Sequence, residues 1–276
     1  IDADFHNNLG TCLMALDRPE EAFTAFRAAL AADPAHAAAA AHAGAALQRL
    51  GRNRDSVEFL RHTARTHGAT LPLLATLGQG LLNLTGPAPA LEIFEELLRR
   101  QPDLERGLIG KGLALSGLRR DAEAIAVLDR AVALYPQARP VHLVSGNIRL
   151  AAKDDAGAIA AFARAAALPP SRIPDAAQAM LLFNRMRICD WTDVAQQRRT
   201  VIAGAAEGSL RLPPFEALCI ADDPALTARD ENATDGLLVP PADQPIPVVL
   251  GRRAIAASAR INQHPALEAH GLDTPL

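Results

Sequence analysis

Three features of the chain have residue types that phosphate sites and acid–base catalysts use. Residues 107–112 read Gly-Leu-Ile-Gly-Lys-Gly, a glycine-rich run with a lysine, as in loops that hold phosphate. This run lacks the Gly-Lys-Ser/Thr ending and follows no strand pattern, so we do not assign phosphate binding to it. Asp222 and Asp223 are adjacent acids, but they precede Pro224 and are interpreted as turn residues. Serine, histidine and aspartate occur in no arrangement that indicates a catalytic triad.

Histidines are the remaining candidates for chemistry. His62 and His67 are five residues apart, which places them on different faces of a helix. His264 and His270 also lack the spacing of metal ligands. The sequence therefore predicts no metal and no cofactor, and it assigns no catalytic residue.

The elements that carry these residues repeat with a period of 34 residues. Glycine recurs at Gly10, Gly44, Gly78, Gly112 and Gly146. Three other positions keep the same period. They are a small position (Ala22, Ser56, Ala90, Ala124, Ala158), a large apolar position (Phe26, Leu60, Phe94, Leu128, Phe162) and a proline position that glycine occupies once (Pro34, Gly68, Pro102, Pro136, Pro170). A fixed period of this length is the signature of a repeat protein.

Each unit is predicted to be two antiparallel helices. In the first unit, apolar residues from Phe5 to Leu16 have helical spacing, and Pro19 opens a second helix. Gly10 and Ala22 are small because the two helices approach closely there, and Phe26 fills the space beside them. One hairpin cannot bury its apolar face alone, so successive hairpins must stack.

The period and the residues Leu9-Gly10, Ala22, Phe26, Ala29 and Pro34 resemble the tetratricopeptide repeat. The resemblance covers residues 3–170. It implies an all-α, right-handed α-solenoid of five repeats, with units that begin near Ala3, Ala37, Leu71, Glu105 and Arg139. Unit two departs most from the pattern, with Ser56, Thr63 and Gly68 at signature positions, and is expected to be looser.

The resemblance also implies a concave groove lined by the first helix of each unit. We expect the residues that flank the register glycine to face it: Asn8 and Thr11, His42 and Ala45, Thr76 and Gln79, Gly110 and Leu113, Val144 and Asn147. The candidate binding residues are Asn8, Thr11, His42, Thr76, Gln79 and Asn147. Binding of an extended peptide and simple solvation of these side chains both remain open.

The repeat phase is lost after residue 170, and two further regions are predicted. Residues 171–229 are interpreted as a capping helix and a junction segment. Pro174 opens the capping helix, which reaches about Ile188, and a second helix runs from about Asp193 to Ala206 behind a cap from Thr192 or Asp190. Residues 230–276 are interpreted as a linker and the partly irregular, incomplete start of another domain.

The junction segment carries a second resemblance. Cys189–Asp193, Pro214-Phe215 and Asp223–Leu226 resemble the segment that follows the repeats in bacterial proteins similar to the O-linked N-acetylglucosamine transferase (SPINDLY-type). In that family a glycosyltransferase domain of two Rossmann-like lobes uses a UDP-sugar. Residues 258–265 are aligned with its start, although Arg260 and Ile261 replace the family's aspartate and phenylalanine.

Asp190 and Trp191 are the candidate junction residues. Trp191 is the only tryptophan, and we interpret it as an anchor that packs one domain on the next, with ligand stacking as the alternative.

Composition limits the classes of partner. A formal charge of −3 does not indicate the basic surface that nucleic-acid-binding proteins have. Three scattered cysteines form no disulfide framework, which favours a reducing, cytoplasmic compartment. No apolar run reaches the length that spans a bilayer. The chain begins with Ile1 in mid-pattern, so we expect a fragment of a longer protein, with further repeats ahead of it.

The function predicted from the sequence is a protein–protein interaction module that binds a peptide or protein in its groove. The second resemblance implies that it is the substrate-recognition arm of an O-GlcNAc transferase-like enzyme. The alternatives are a stand-alone scaffold or the arm of another enzyme, such as a methyltransferase. We expect this chain alone to be no enzyme, with a UDP-sugar involved only if a catalytic domain follows.

Overall fold

The structure, a computed structural model, describes residues 2–169, 176–208, 213 and 220, and these contain twelve α-helices and no strand. The helices are α1 Ala3–Ala15, α2 Pro19–Ala32, α3 Ala37–Arg49, α4 Asn53–His67, α5 Leu71–Leu84, α6 Pro87–Arg100, α7 Glu105–Gly117, α8 Asp121–Leu134, α9 Arg139–Ala151, α10 Asp155–Ala167, α11 Ala177–Arg187 and α12 Val194–Glu207. The first ten form five hairpins. Each helix packs against the next, and the first helix of each unit also contacts the first helix of the following unit. The predicted all-α solenoid is confirmed, and the five units begin at the predicted residues.

The close approach of the two helices within each unit is confirmed at all five register glycines. A Cβ atom on Gly10 would lie 2.5 Å from the Phe26 ring, and one on Gly146 would lie 2.6 Å from the Phe162 ring. A Cβ atom on Gly44 would lie 2.7 Å from Leu60, and one on Gly78 would lie 2.7 Å from Phe94. A Cβ atom on Gly112 would lie at the longer distance of 3.0 Å from Leu128. Since Phe26 and Phe162 are fully buried, these contacts are the centre of each hairpin.

Four of the five turns inside the hairpins share one backbone shape, and the turn of unit three differs, with φ of −118° at Thr85. Asp17, Gly51, Arg119 and Lys153 stand 34 or 68 residues apart and have φ of 57°, 72°, 63° and 63°. The N–H of the next residue donates a hydrogen bond to a carbonyl of the first helix, as Arg52 N–H does to Leu47 O at 2.9 Å. This left-handed end satisfies carbonyls that the helix leaves unpaired.

Unit two accommodates its polar residues through hydrogen bonds. The hydroxyl of Ser56, which is fully buried, donates to Gly44 O at 2.9 Å and accepts from Gln48 Nε2 at 3.1 Å. Gln48 Nε2 also donates to Thr76 O in the next unit at 2.8 Å. Ser56, one of the departures from the repeat pattern, is thus held by hydrogen bonds, and its partner Gln48 joins units two and three.

The helix α11 follows the fifth unit and packs on α10. Its apolar face is buried: Ala179 and Leu182 are fully buried in a cluster with Val201 of α12 and Ile220. Pro174 lies outside the described residues, as does the predicted linker after residue 229.

The predicted cap of α12 is wrong. The cap position is Asp193, whose backbone is left-handed with φ of 55° and whose side chain accepts no capping hydrogen bond. Asp190 instead accepts the N–H of Thr192 at 3.1 Å, within the turn that precedes the helix. The Asp190 carboxylate satisfies this turn, so it does not reach the first N–H groups of α12.

In the part of the chain that the structure describes, no helix has both the length and the apolar character needed to cross a bilayer.

Candidate functional site

One row of residues remains accessible along the first helices of all five units. It consists of the residue after each register glycine, and we call it the groove row: Thr11, Ala45, Gln79, Leu113 and Asn147. Thr11 and Asn147 are exposed, and the other three are half-buried. Because the first helices pack side by side, these positions follow one another from unit to unit. Gln79, Thr11 and Asn147 are therefore accessible on their first helices, and their place in a binding groove stays a prediction.

The other predicted row, two residues before the glycine, is buried in units three to five. Thr76 and Val144 are 4% and 2% exposed. A Cβ atom on Gly110 would lie 2.1 Å from the Phe94 ring of the preceding second helix. The Thr76 hydroxyl donates to Pro72 O at 3.0 Å within its own helix. Thr76 thus presents no polar group to an open surface, and its assignment to the groove is corrected.

His42, in the same row, is also directed towards the preceding unit. Its ring lies over Phe26, with ring centroids 5.3 Å apart, and its Nδ1 donates to Asn7 Oδ1 at 2.9 Å. Burial lowers the pKa of His42, and the positive charges of Arg106 and His36 lower it further. We therefore interpret His42 as a neutral packing residue between units one and two. Asn8 occupies the same position in α1 and is exposed there.

Residues one turn away widen the groove row, and the sequence interpretation missed them. Ile109 and Leu143 precede the register glycine by three residues, and Leu82 and Leu150 follow it by four. All four are half-buried. Helical spacing of three or four residues from Gln79, Leu113 and Asn147 was the signal that could have found them.

In units three to five, the groove row and the residues beside it are therefore apolar with amide groups. Gln79 Nε2 lies 3.4 Å from Asn83 Oδ1, which keeps both amides at the surface of α5. Arg106 is exposed at the start of α7 and has no ion pair or hydrogen bond with any described residue. Amides can hydrogen-bond a peptide backbone from either side, and half-buried leucines can receive apolar side chains. The described residues include no group of three or more His, Cys, Asp or Glu that could hold a metal ion.

The junction residues lie apart from the groove, in the turn between α11 and α12. Hydrogen bonds from the side chain and backbone of Thr192 lower the pKa of Asp190, and Arg185 at 3.6 Å adds to this. Trp191 is 60% exposed. The predicted anchor contact of Trp191 is not found among residues 2–169 and 176–208 of the structure.

Comparisons with known proteins agree with the repeat architecture. A tetratricopeptide repeat model matches residues 3–36, and a second matches residues 75–139 and 109–173. No curated protein matches the chain.

Solved structures are similar in fold. PilW, a type IV pilus biogenesis factor, is 18% identical with a TM-score of 0.60 over 73% of this chain and 92% of its own. PilF of Pseudomonas aeruginosa is 14% identical with a TM-score of 0.59 over 84% and 97%. A thermophilic tetratricopeptide repeat protein of Thermus thermophilus is 21% identical with a TM-score of 0.51 over 69% and 94%. At these identities the similarity establishes the fold alone. The family models thus identify tetratricopeptide repeats in residues 3–36 and 75–173 of this chain.

Proposed function

We propose that the groove of the first helices binds an extended peptide segment of a protein partner. The observation that carries the proposal is the groove row, which stays accessible in five successive units while the row two residues before the glycine is buried in the later ones. Gln79 and Asn147 supply amides for the peptide backbone, and Leu113 lies between them at the same register. A repeated row of this kind suits a ligand that runs along the solenoid axis.

An array of immobilised ten-residue peptides tests the proposal. The wild-type chain is compared with the double variant Gln79→Ala/Asn147→Ala. The matched control is Gln101→Ala/Gln137→Ala, since both of these amides are exposed outside the first helices. We expect the groove variant to lose binding at least about tenfold and the control to retain it, because only the former removes hydrogen bonds to the ligand. Equal binding by both variants would refute the groove as the site.

The finer proposal is that this groove selects substrates for an O-GlcNAc transferase-like enzyme. Its support is the resemblance of Cys189–Asp193, Pro214-Phe215 and Asp223–Leu226 to the segment after the repeats in that family. A stand-alone scaffold, or the arm of another enzyme such as a methyltransferase, would use the same groove. Free, exposed Cys12 and Cys189 suit the reducing cytoplasm in which we place the protein.

Calorimetric titration with UDP and with UDP-N-acetylglucosamine tests the role of this chain in that proposal. We expect no binding, because a nucleotide-binding lobe needs on the order of 100 residues and 230–276 is too short to form one. Clear binding would show that residues after the junction contribute to a nucleotide site, and His264 would be replaced next. The identity of any domain encoded after Leu276 decides the rest: two Rossmann-like lobes support the proposal, and any other domain refutes it.

A further inference from the structure

The first helices of units three to five carry an excess of positive charge. α5, α7 and α9 contain four cations and one acid, Glu105, whereas the second helices α6, α8 and α10 contain four cations and seven acids. The formal charge is therefore +3 (four minus one) on the first helices and −3 (four minus seven) on the second helices. An excess of one sign on a binding surface attracts a ligand of the opposite sign.

Three of these four cations on the first helices have partners within the chain. Lys111 pairs with Glu95 of α6 at 3.2 Å. Arg149 pairs with Asp129 of α8 at 2.5 Å. Arg139 Nη1 donates to a backbone carbonyl oxygen at the end of α10, at 2.7 Å. These three charges are therefore satisfied by the second helices and by the residues that end them.

Arg106 is the fourth cation, and it is exposed on the side of α7 that carries the groove row. It precedes Ile109 by three residues and Leu113 by seven, so the three side chains lie on one side of the helix. Arg106 has no ion pair or hydrogen bond with any residue that the structure describes. Other exposed arginines without a described partner, such as Arg61 and Arg164, lie on second helices. Arg106 therefore supplies an unpaired charge beside the groove row.

The charge of Arg106 also acts on His42 of α3, two units earlier. Burial lowers the pKa of His42 most, and the positive charge of Arg106 lowers it further. Because the Coulomb energy falls with distance and salt screens charges more than about 10 Å apart, the guanidinium lies close to that histidine. The side chain of Arg106 is therefore directed towards the first helices of the preceding units, where a ligand in the groove can reach it.

We propose, on the basis of the function proposed above, that Arg106 binds the side-chain carboxylate of a glutamate in the peptide. The groove then selects acidic peptide segments. Arg106 precedes Leu113 by two turns, or about 10 Å along α7, and an arginine and a glutamate side chain together span that distance from a peptide on the groove row. Half-buried Ile109 and Leu113 receive apolar residues next to the glutamate. A guanidinium donates two parallel hydrogen bonds to a carboxylate, which makes this position specific.

A library of ten-residue peptides tests this preference. The peptides are acetylated and amidated at their ends, so that only side chains carry charge, and each position in turn is fixed as glutamate, glutamine or lysine in a mixed neutral background. We expect the wild-type chain to bind glutamate peptides at least about fivefold more tightly than glutamine peptides at one position or more. This ratio should decrease between about 50 mM and about 500 mM salt, because salt screens exposed charges.

Variants of Arg106 assign the preference to this residue. Arg106→Gln should remove the preference for glutamate and leave the binding of glutamine peptides unchanged, which also shows that the variant is folded. Arg106→Glu should reverse the preference towards lysine. Arg164→Glu is the matched control, since Arg164 is exposed on the second helix α10, and it should keep the wild-type preference.

The two proposals fail separately in this experiment. A wild-type chain with no glutamate preference, or a preference that persists in Arg106→Gln, overturns the role of Arg106 and leaves the groove proposal intact. Peptide binding that Gln79→Ala/Asn147→Ala leaves unchanged refutes the groove itself, and the role of Arg106 in it falls at the same time.

Discussion

The substitution Gly146→Ala tests whether the glycine–phenylalanine contact holds each hairpin together. A Cβ atom at this position would lie 2.6 to 2.8 Å from three atoms of the Phe162 ring, and Phe162 is fully buried. Carbon atoms pack best at about 3.5–4.0 Å, so the ring has to move by about 1 Å in a packed interior. Overpacking of this kind costs about 1–3 kcal/mol, while alanine gains about 1 kcal/mol over glycine in helix propensity. We expect a net loss of up to about 2 kcal/mol in the free energy of unfolding.

Gly112→Ala is the matched comparison within the same chain. Its Cβ atom would meet Leu128 at 3.0 to 3.4 Å, and this side chain can shift by a few tenths of an ångström. The propensity gain should then equal or exceed the packing cost, so we expect a change between zero and about 1 kcal/mol of stabilisation. Urea unfolding followed by circular dichroism measures both variants, and hydrogen exchange of the α9 and α10 amides locates the effect.

A double-mutant cycle isolates the contact itself. Gly146→Ala combined with Phe162→Leu replaces the ring that the new Cβ atom would meet with a smaller and more flexible side chain. The coupling between the two changes should be about 1–2 kcal/mol, with the double variant more stable than the sum of the single changes predicts. Equal effects of alanine at Gly146 and at Gly112, or a coupling near zero, would refute the reasoning.

Three further predictions concern the pH dependence, a turn and the polar link between units. The pKa of His42 is lowered in the folded chain, so the unfolded chain takes up this proton at a higher pH than the folded chain does. The contribution of neutral His42 to the free energy of unfolding should therefore be complete above about pH 6.5 and decrease as the pH falls below that value. His42→Gln should remove this part of the pH dependence, as measured by urea titrations at pH 5 and 8. Lys153→Gly should raise the unfolding free energy by about 1 kcal/mol, because only glycine adopts the left-handed backbone of that turn without strain, whereas Lys111→Gly within α7 should lower it. Gln48→Ala should cost about 1–3 kcal/mol, because buried Ser56 Oγ and Thr76 O lose their donor, and a thermal midpoint within error of the wild-type value would contradict this.

The sequence predicts the repeated part of the fold well because the same pairing of a small and a large residue occurs in it five times. Each register glycine and its large apolar partner must occur together, so Gly10 with Phe26 is supported by Gly146 with Phe162. A single unit would leave the helix boundaries uncertain, whereas a shared phase fixes the starts of all five first helices.

The sequence did not predict which of two polar positions on a first helix stays accessible, since residues three positions apart can face different neighbours. Thr76 and Gln79 are both polar and three residues apart on α5, and residue type alone does not tell which one is buried. The decision depends on the preceding second helix, whose Phe94 in unit three fills the space that a larger residue at Gly110 would need. Such a contact between units is invisible when each unit is considered by itself.

The cap of α12 shows a different limit. Asp190, Thr192 and Asp193 are all good cap residues, and the residue that takes the position depends on a left-handed turn at Cys189 and Asp193. Residue preferences rank these candidates about equally, so the backbone path between α11 and α12 decides the outcome. Packing of α11 against α12 sets that path, and the residues of the turn itself do not reveal this packing.

The stacking of helices with their neighbours has a consequence for how the protein resists heat and force. Among the described residues, the main contacts of each helix are with its neighbours in the chain, the first helices of successive units also contact one another, and α12 has its main contact with α11 alone. A chain with contacts of this kind behaves as a linear series of coupled elements, in which melting proceeds from the ends and folding can begin at any unit. Under mechanical load, such a protein should unwind helix by helix as a spring and shorten again when released.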